Sequence, residues 1–187
     1  EDAIYFSKRV TRAVPDGGPI EAHTDLVKKL DYECELAVVL GRDARDVPAG
    51  QTRDYIFGYT ILNDVSARDV QTAHKQWYFG KSLDGFTPIG PCIVTADAFA
   101  DYPPRLGIRS FVNGEKRQDS NTALQIFDID HVIAELSQGM TLKAGTIIAT
   151  GTPAGVGMGM DPPQFLKPGD VVRCEIDGIG TLTNPVE

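Results

Sequence analysis

The run Tyr32-Glu33-Cys34-Glu35-Leu36-Ala37-Val38-Val39-Leu40 constrains this chain more than any other stretch. It reads as a strand, yet it carries two glutamates. Strand side chains alternate between faces, so Glu33 and Glu35 point the same way, roughly 7 Å apart along the strand. At an effective dielectric of about 20 that spacing implies on the order of 2 kcal/mol of repulsion. Water or a bound cation has to offset it, and a divalent metal does so directly. At this point the pair also fits an edge strand with a solvated polar face.

A third carboxylate, Asp64, ends a second apolar run, Tyr59-Thr60-Ile61-Leu62-Asn63-Asp64, which also reads as a strand. Ser66-Ala67-Arg68-Asp69 follows, with a Ser three residues ahead of an acid as in a capping box, so a helix is expected from Ser66 toward Trp77. Asp64 then stands where a strand gives way to a helix, a junction that fixes a side chain and leaves it accessible. Three carboxylates on rigid elements suit a hard cation of the Mg²⁺ or Mn²⁺ type. Zinc is disfavoured, because Cys34, Cys92 and Cys174, like His23, His74 and His131, are far apart in sequence.

Composition removes several classes. With 187 residues and 42% hydrophobic content the chain can bury one substantial core, and its length favours a single domain, 1–187. A formal charge of −8 with no basic block argues against nucleic acid. Apolar runs fall short of the ~20 residues that cross a bilayer. Three scattered cysteines make no disulfide framework, which favours a reducing compartment and a cytoplasmic protein. The chain opens at Glu1 without an initiator Met, as a part of a longer polypeptide would.

Most of the remaining signals are strands and turns. Asn113-Gly114 between Ile108–Val112 and Glu115–Arg117 predicts a hairpin with a type I′ turn, and Asp177-Gly178 repeats the signal between Val171–Ile176 and Ile179–Thr183. A helix is predicted from Asp130 as N-cap through Ser137, ending near Gly139. These elements give an α+β fold, rich in β-strand, of mixed sheets with few short helices. The glycine-rich segment Thr150-Gly151-Thr152-Pro153-Ala154-Gly155-Val156-Gly157-Met158-Gly159 has neither nucleotide-binding spacing nor a following helix. It reads as a tight turn or as a cradle of N–H groups for a small carboxylate. Lys81 lies between Trp77-Tyr78-Phe79 and a turn-rich stretch, where it reads either as a solvated surface charge or as a partly buried one that can stabilise an oxyanion or enolate. His74, on the helix after Asp64, could reach the same place from its far side.

Four ordered motifs, Asp31 to Gly41, Asn63 to Gln71, Gly80 to Asp84 and Ala149 to Gly157, resemble the fumarylacetoacetate hydrolase family from about Ile4 to the end of the chain. The resemblance implies a β-roll that forms homodimers, and a Mg²⁺ or Ca²⁺ ion held by Glu33, Glu35 and Asp64. It implies that Gln71, Lys81, Gly151 and Thr152 line a substrate site, and leaves Arg68 a supporting role. Members carry their general base, a His paired with a Glu, on an N-terminal lid. This chain starts downstream of that segment.

The expected activity is therefore Mg²⁺-dependent hydrolysis of a carbon–carbon bond in a 2,4-dioxo acid of the acylpyruvate or fumarylpyruvate type, with Mn²⁺ or Ca²⁺ as other candidate ions. Lys81 is the expected catalytic residue, stabilising the departing enolate. The same electrophilic sink serves decarboxylation of oxaloacetate, or decarboxylation and isomerisation of an unsaturated 2-oxo diacid. A catalytically silent metal- or ligand-binding module is the alternative from another class.

Overall fold

Apolar alternation sets the layers in the computed structural model, which describes residues 2–187. Glu1, where the sequence places the opening of the chain, lies outside the described residues. Strand β1 (Leu30–Asp31) is followed by β2 (Cys34–Leu40), β3 (Ile56–Asn63), β4 (Ser66–Ala67), helices α1 (Arg68–Ala73) and α2 (Tyr78–Lys81), and β5 (Ile89–Thr95). Then come β6 (Gly107–Val112), β7 (Glu115–Asn121), helix α3 (Ile129–Leu136), β8 (Ile147–Ala149), β9 (Val171–Ile176) and β10 (Gly180–Pro185).

Two four-stranded sheets, in the orders β5-β3-β2-β8 and β10-β9-β6-β7, form from antiparallel ladders, and β1 and β4 make a small third ladder. Parallel bridges at Val14 with Pro88 and Ile20 with Val186 tie in the loops. In β2 the even positions Cys34, Leu36, Val38 and Leu40 enter the core, where Ile108, Val112, Val172, Cys174 and Ile176 of the second sheet meet them. Glu33 and Glu35 share the opposite parity with Ala37 and Val39. This is the β-rich α+β architecture expected from the sequence, open rather than closed into a barrel.

Register carries the third carboxylate to the first two. Cys34 pairs with Asn63 and Glu35 with Leu62. Asp64 N–H donates to Glu33 O at 2.8 Å, one step past the end of the ladder. Asp64 is thereby set across from Glu33.

Four local expectations need correction. Ser66 does not cap a helix: it lies in β4, and its hydroxyl donates to Asp64 O, so α1 starts at Arg68. The helix also stops short of Trp77, because the chain takes a positive φ at Lys75 and restarts as α2. Gly80 allows α1 and α2 to touch, since a Cβ there would lie 2.6 Å from Gln71 N and 2.8 Å from Ala67 O. In α3 the N-cap is Asp128, whose side chain accepts from His131 N–H, while Asp130 turns to Thr52 Oγ1 (2.5 Å) and Gly50 N–H (2.7 Å). The β6–β7 hairpin has the expected two-residue turn with positive φ at Asn113 and Gly114. The β9–β10 turn holds three residues between Ile176 and Gly180, and only Gly178 among them has positive φ. No helix among the described residues is long and apolar enough to cross a membrane.

Candidate metal centre

The three carboxylates converge. One oxygen each from Glu33, Glu35 and Asp64 lies within 4.8 Å of the others. β2 and the last step of its ladder with β3 fix their backbones, and all three side chains are largely buried.

Cations surround two of the three. Lys81, only 2% exposed, places Nζ 2.7 Å from Glu33 Oε2 and 2.7 Å from Asp64 Oδ2. Lys8 Nζ meets the other oxygen, Asp64 Oδ1, at 2.7 Å. Arg68 Nη1 lies 2.7 Å from Glu33 Oε1, and its Nε donates to Asp31 Oδ2 at 2.9 Å. Burial alone would lower the pKa of Lys81, but Asp64 and Glu33 outweigh it and hold the ammonium above its ordinary value. At Lys8 burial wins over Asp64, and the pKa is lowered.

Glu35 is different. Among the described residues it has no cationic partner and accepts a hydrogen bond from Gly151 N–H at 2.8 Å. Burial first, then Asp64 and Glu33, push its carboxyl well above the usual carboxylate range. A buried carboxylate in that position is what a hard cation would relieve. Three oxygen donors at this spacing could hold Mg²⁺, Mn²⁺ or Ca²⁺, and they leave further coordination positions for water or ligand. The donor set therefore fits the metal that the sequence implies.

The other residues singled out in the sequence surround this cluster. Gln71 is buried on α1 and accepts from Arg68 Nη1 at 3.3 Å. Gly151 touches Glu35 through its backbone, and the Thr152 hydroxyl donates to Cys34 O at 2.9 Å. His74 does not join them: it is exposed and packs its ring edge-on against Phe79. His23 bonds Asp84 O, and His131 faces Glu135.

Sequence reasoning missed Lys8 and Asp31. Lys8 arrives on an irregular strap. Its neighbour Tyr5 donates to Glu135, Phe6 packs against Trp77, and Arg9 N–H donates to Ser82 Oγ at 3.0 Å. Asp31 is fully buried and accepts from Gly157 N–H, Met158 N–H, Tyr32 N–H and Arg68 Nε, which ties the glycine-rich loop to the arginine that holds Glu33. An isolated Lys in a polar segment and an Asp at a strand end carry no periodic signal.

The chain is similar to known proteins in sequence and in fold. An oxaloacetate tautomerase, YisK, of Bacillus subtilis is 45% identical over 186 residues, covering all of this chain and 62% of the relative. The solved structure of a fumarylacetoacetate hydrolase (EaFAH) from the psychrophile Exiguobacterium antarcticum superposes with a TM-score of 0.90 at 51% identity, over 92% of this chain and 62% of that one. A 5-carboxymethyl-2-hydroxymuconate delta-isomerase from Mycobacterium smegmatis gives a TM-score of 0.88 at 42% identity, over 100% of this chain and 70% of that one. The chain spans about 60% of the length of the curated relatives it matches. The family described as Fumarylacetoacetate (FAA) hydrolase C-terminal matches residues 1–187. With its motifs, its open two-sheet fold and its carboxylate cluster accounted for together, the chain belongs to the fumarylacetoacetate hydrolase family.

Proposed function

We propose that this chain catalyses enol–keto chemistry on a small 2-oxo diacid, tautomerisation or isomerisation, with a divalent cation held by Glu33, Glu35 and Asp64. The observation that carries the reading is the Lys81 ammonium, buried and gripped by two of the three carboxylates. A bound Mg²⁺, Mn²⁺ or Ca²⁺ would supply Lewis acidity to a 2-oxo carboxylate. Lys81 contributes a positive charge fixed by its contacts to Glu33 and Asp64, available to offset the charge of an enolate formed in the site. Lys8, on the far oxygen of Asp64, adds a second ammonium suited to a dianionic ligand. Gly151 N–H orients Glu35, and Arg68 with Gln71 orients Glu33. Burial of these groups keeps water from screening them.

Hydrolysis of an acylpyruvate, the activity the sequence puts first, becomes the second reading. It demands activation of a water molecule in addition to the proton transfer that enol–keto exchange itself requires. Similarity to an oxaloacetate tautomerase and to a delta-isomerase supports the enol–keto reading. Similarity to a protein named as a hydrolase keeps the other in view. A single catalytic domain over 1–187, assembled as a homodimer, belongs to the same proposal.

The test follows the ultraviolet band of enol oxaloacetate with purified protein and Mg²⁺, beside an acylpyruvate panel read by product analysis. Faster loss of the enol band than in Mg²⁺ buffer is expected. Acylpyruvate cleavage without any effect on the enol band would replace this reading with hydrolysis.

A further inference from the structure

Where β8 leaves β2, the backbone ladder stops and side chains take over. The last paired residues are Ala37 and Ala149, and Thr150 N–H still reaches Leu36 O at 3.1 Å. Beyond that point the peptide of Cys34, lying between Glu33 and Glu35, faces no strand on this side. A buried, unpaired peptide group is costly. Gln118, fully buried on β7 of the opposite sheet, supplies the missing partner: its Oε1 accepts from Cys34 N–H at 3.1 Å. Its Nε2 donates to Thr152 Oγ1 and to Pro153 O, both at 2.8 Å. The amide orientation is fixed, because a flip would set N–H against N–H and oxygen against oxygen.

Two further features aim this side chain. The β6–β7 register slips beside it, pairing Ser110 with Gln118 but Phe111 with Lys116, so Arg117 is bulged, and bulges re-aim their neighbours. Gly155 lets the glycine-rich loop lie directly on β7, since a Cβ there would fall 2.1 Å from Arg117 O and 3.2 Å from Gln118 Cα.

We infer that Gln118 is a positioning residue for the metal centre: through one amide it fixes the peptide that separates the two glutamates and anchors the loop whose Gly151 N–H orients Glu35. It also sets the polarity of Thr152. The hydroxyl proton goes to Cys34 O and one lone pair takes the Gln118 N–H, so the other lone pair is what Thr152 Oγ1 has left to offer. The inference rests on the reading that Glu33, Glu35 and Asp64 take a divalent cation.

The experiment is calorimetric titration with Mn²⁺ alone, together with thermal unfolding, on wild type, Gln118→Met and Ser110→Ala. Ser110 sits opposite Gln118 in the ladder, fully buried and with no partner for its hydroxyl among the described residues, so its replacement perturbs the same stretch of sheet without removing a hydrogen bond to Cys34 or Thr152. Gln118→Met should weaken Mn²⁺ binding by roughly tenfold or more, as loss of a partner that orients metal ligands does. Ser110→Ala should bind like wild type. Unchanged Mn²⁺ affinity in a Gln118→Met protein that merely melts earlier would overturn the inference. Should Gln118→Met fail to fold, Thr152→Ser and Thr152→Val decide: Ser keeps both Oγ bonds and should bind like wild type, while Val should weaken binding several-fold. Equal affinity in those two variants would overturn it as well. A wild type that takes up no Mn²⁺ would overturn the metal reading itself, an outcome visible in a separate arm.

Discussion

Glu35 and Lys81 hold opposite positions in the electrostatics of the cluster, and single substitutions separate them. Glu35→Gln keeps an acceptor for Gly151 N–H but removes a charged oxygen, so Mn²⁺ affinity should fall at least tenfold by calorimetry. Asp43→Ala, which removes an exposed partner of Lys143, should bind as wild type does. Lys81→Met leaves Glu33 and Asp64 without the ammonium they share. Breaking a buried pair in that way should cost about 3 kcal/mol or more of stability in urea without metal. Added Mn²⁺ should recover more stability in this variant than in wild type. Its kcat should drop by roughly two orders of magnitude if Nζ stabilises the enolate. Retained kcat with a raised KM would make Lys81 a substrate anchor instead.

At the level of elements, the α3 boundary distinguishes local from tertiary roles of two neighbouring aspartates. Asp128→Ala removes the N-cap and should cost about 1 kcal/mol in a denaturant melt. Asp130→Ala should act through loss of the ties to Thr52 and Gly50, so its effect should shrink in a Thr52→Val background, where only the Gly50 tie is left to lose, while that of Asp128→Ala persists in full. Additive behaviour of Asp130→Ala and Thr52→Val would contradict this assignment. These cases show which parts of the fold are legible in sequence. Asn113-Gly114 is readable because its positive φ angles are local requirements. The alternation of β2 is readable because one face enters the core. Asp130 has the local look of a cap, but Thr52 and Gly50 take its side chain and Asp128 caps the helix instead. Ser66 likewise presents a local capping pattern, but pairing with Asp31 in β4 takes its backbone away.

Across the whole molecule, the site joins groups that sequence distance hides. Glu33, Glu35, Asp64 and Lys81 lie in strong local patterns, with Glu33 just ahead of β2, Glu35 on it and Asp64 one residue past the end of its partner β3. Lys8 reaches Asp64 across 56 residues, and Gln118 reaches Cys34 across 84, and neither stretch carries a periodicity that would announce it. Because the cluster joins β2 to the β3 end and Gln118 joins it to the second sheet, a cation bound there should stabilise the fold as a unit. At a hundred times its dissociation constant the gain is about 2.7 kcal/mol, so a single cooperative unfolding transition should move upward with Mn²⁺ concentration. The proposed reaction makes and protonates an enolate of a 2-oxo acid, so proton exchange at C3 of oxaloacetate in D₂O with Mg²⁺, followed by NMR, tests it directly. Wild type should accelerate deuterium incorporation above the Mg²⁺ buffer rate, and Lys81→Met should fall back to it; wild-type exchange at the buffer rate would contradict enolate formation at this site.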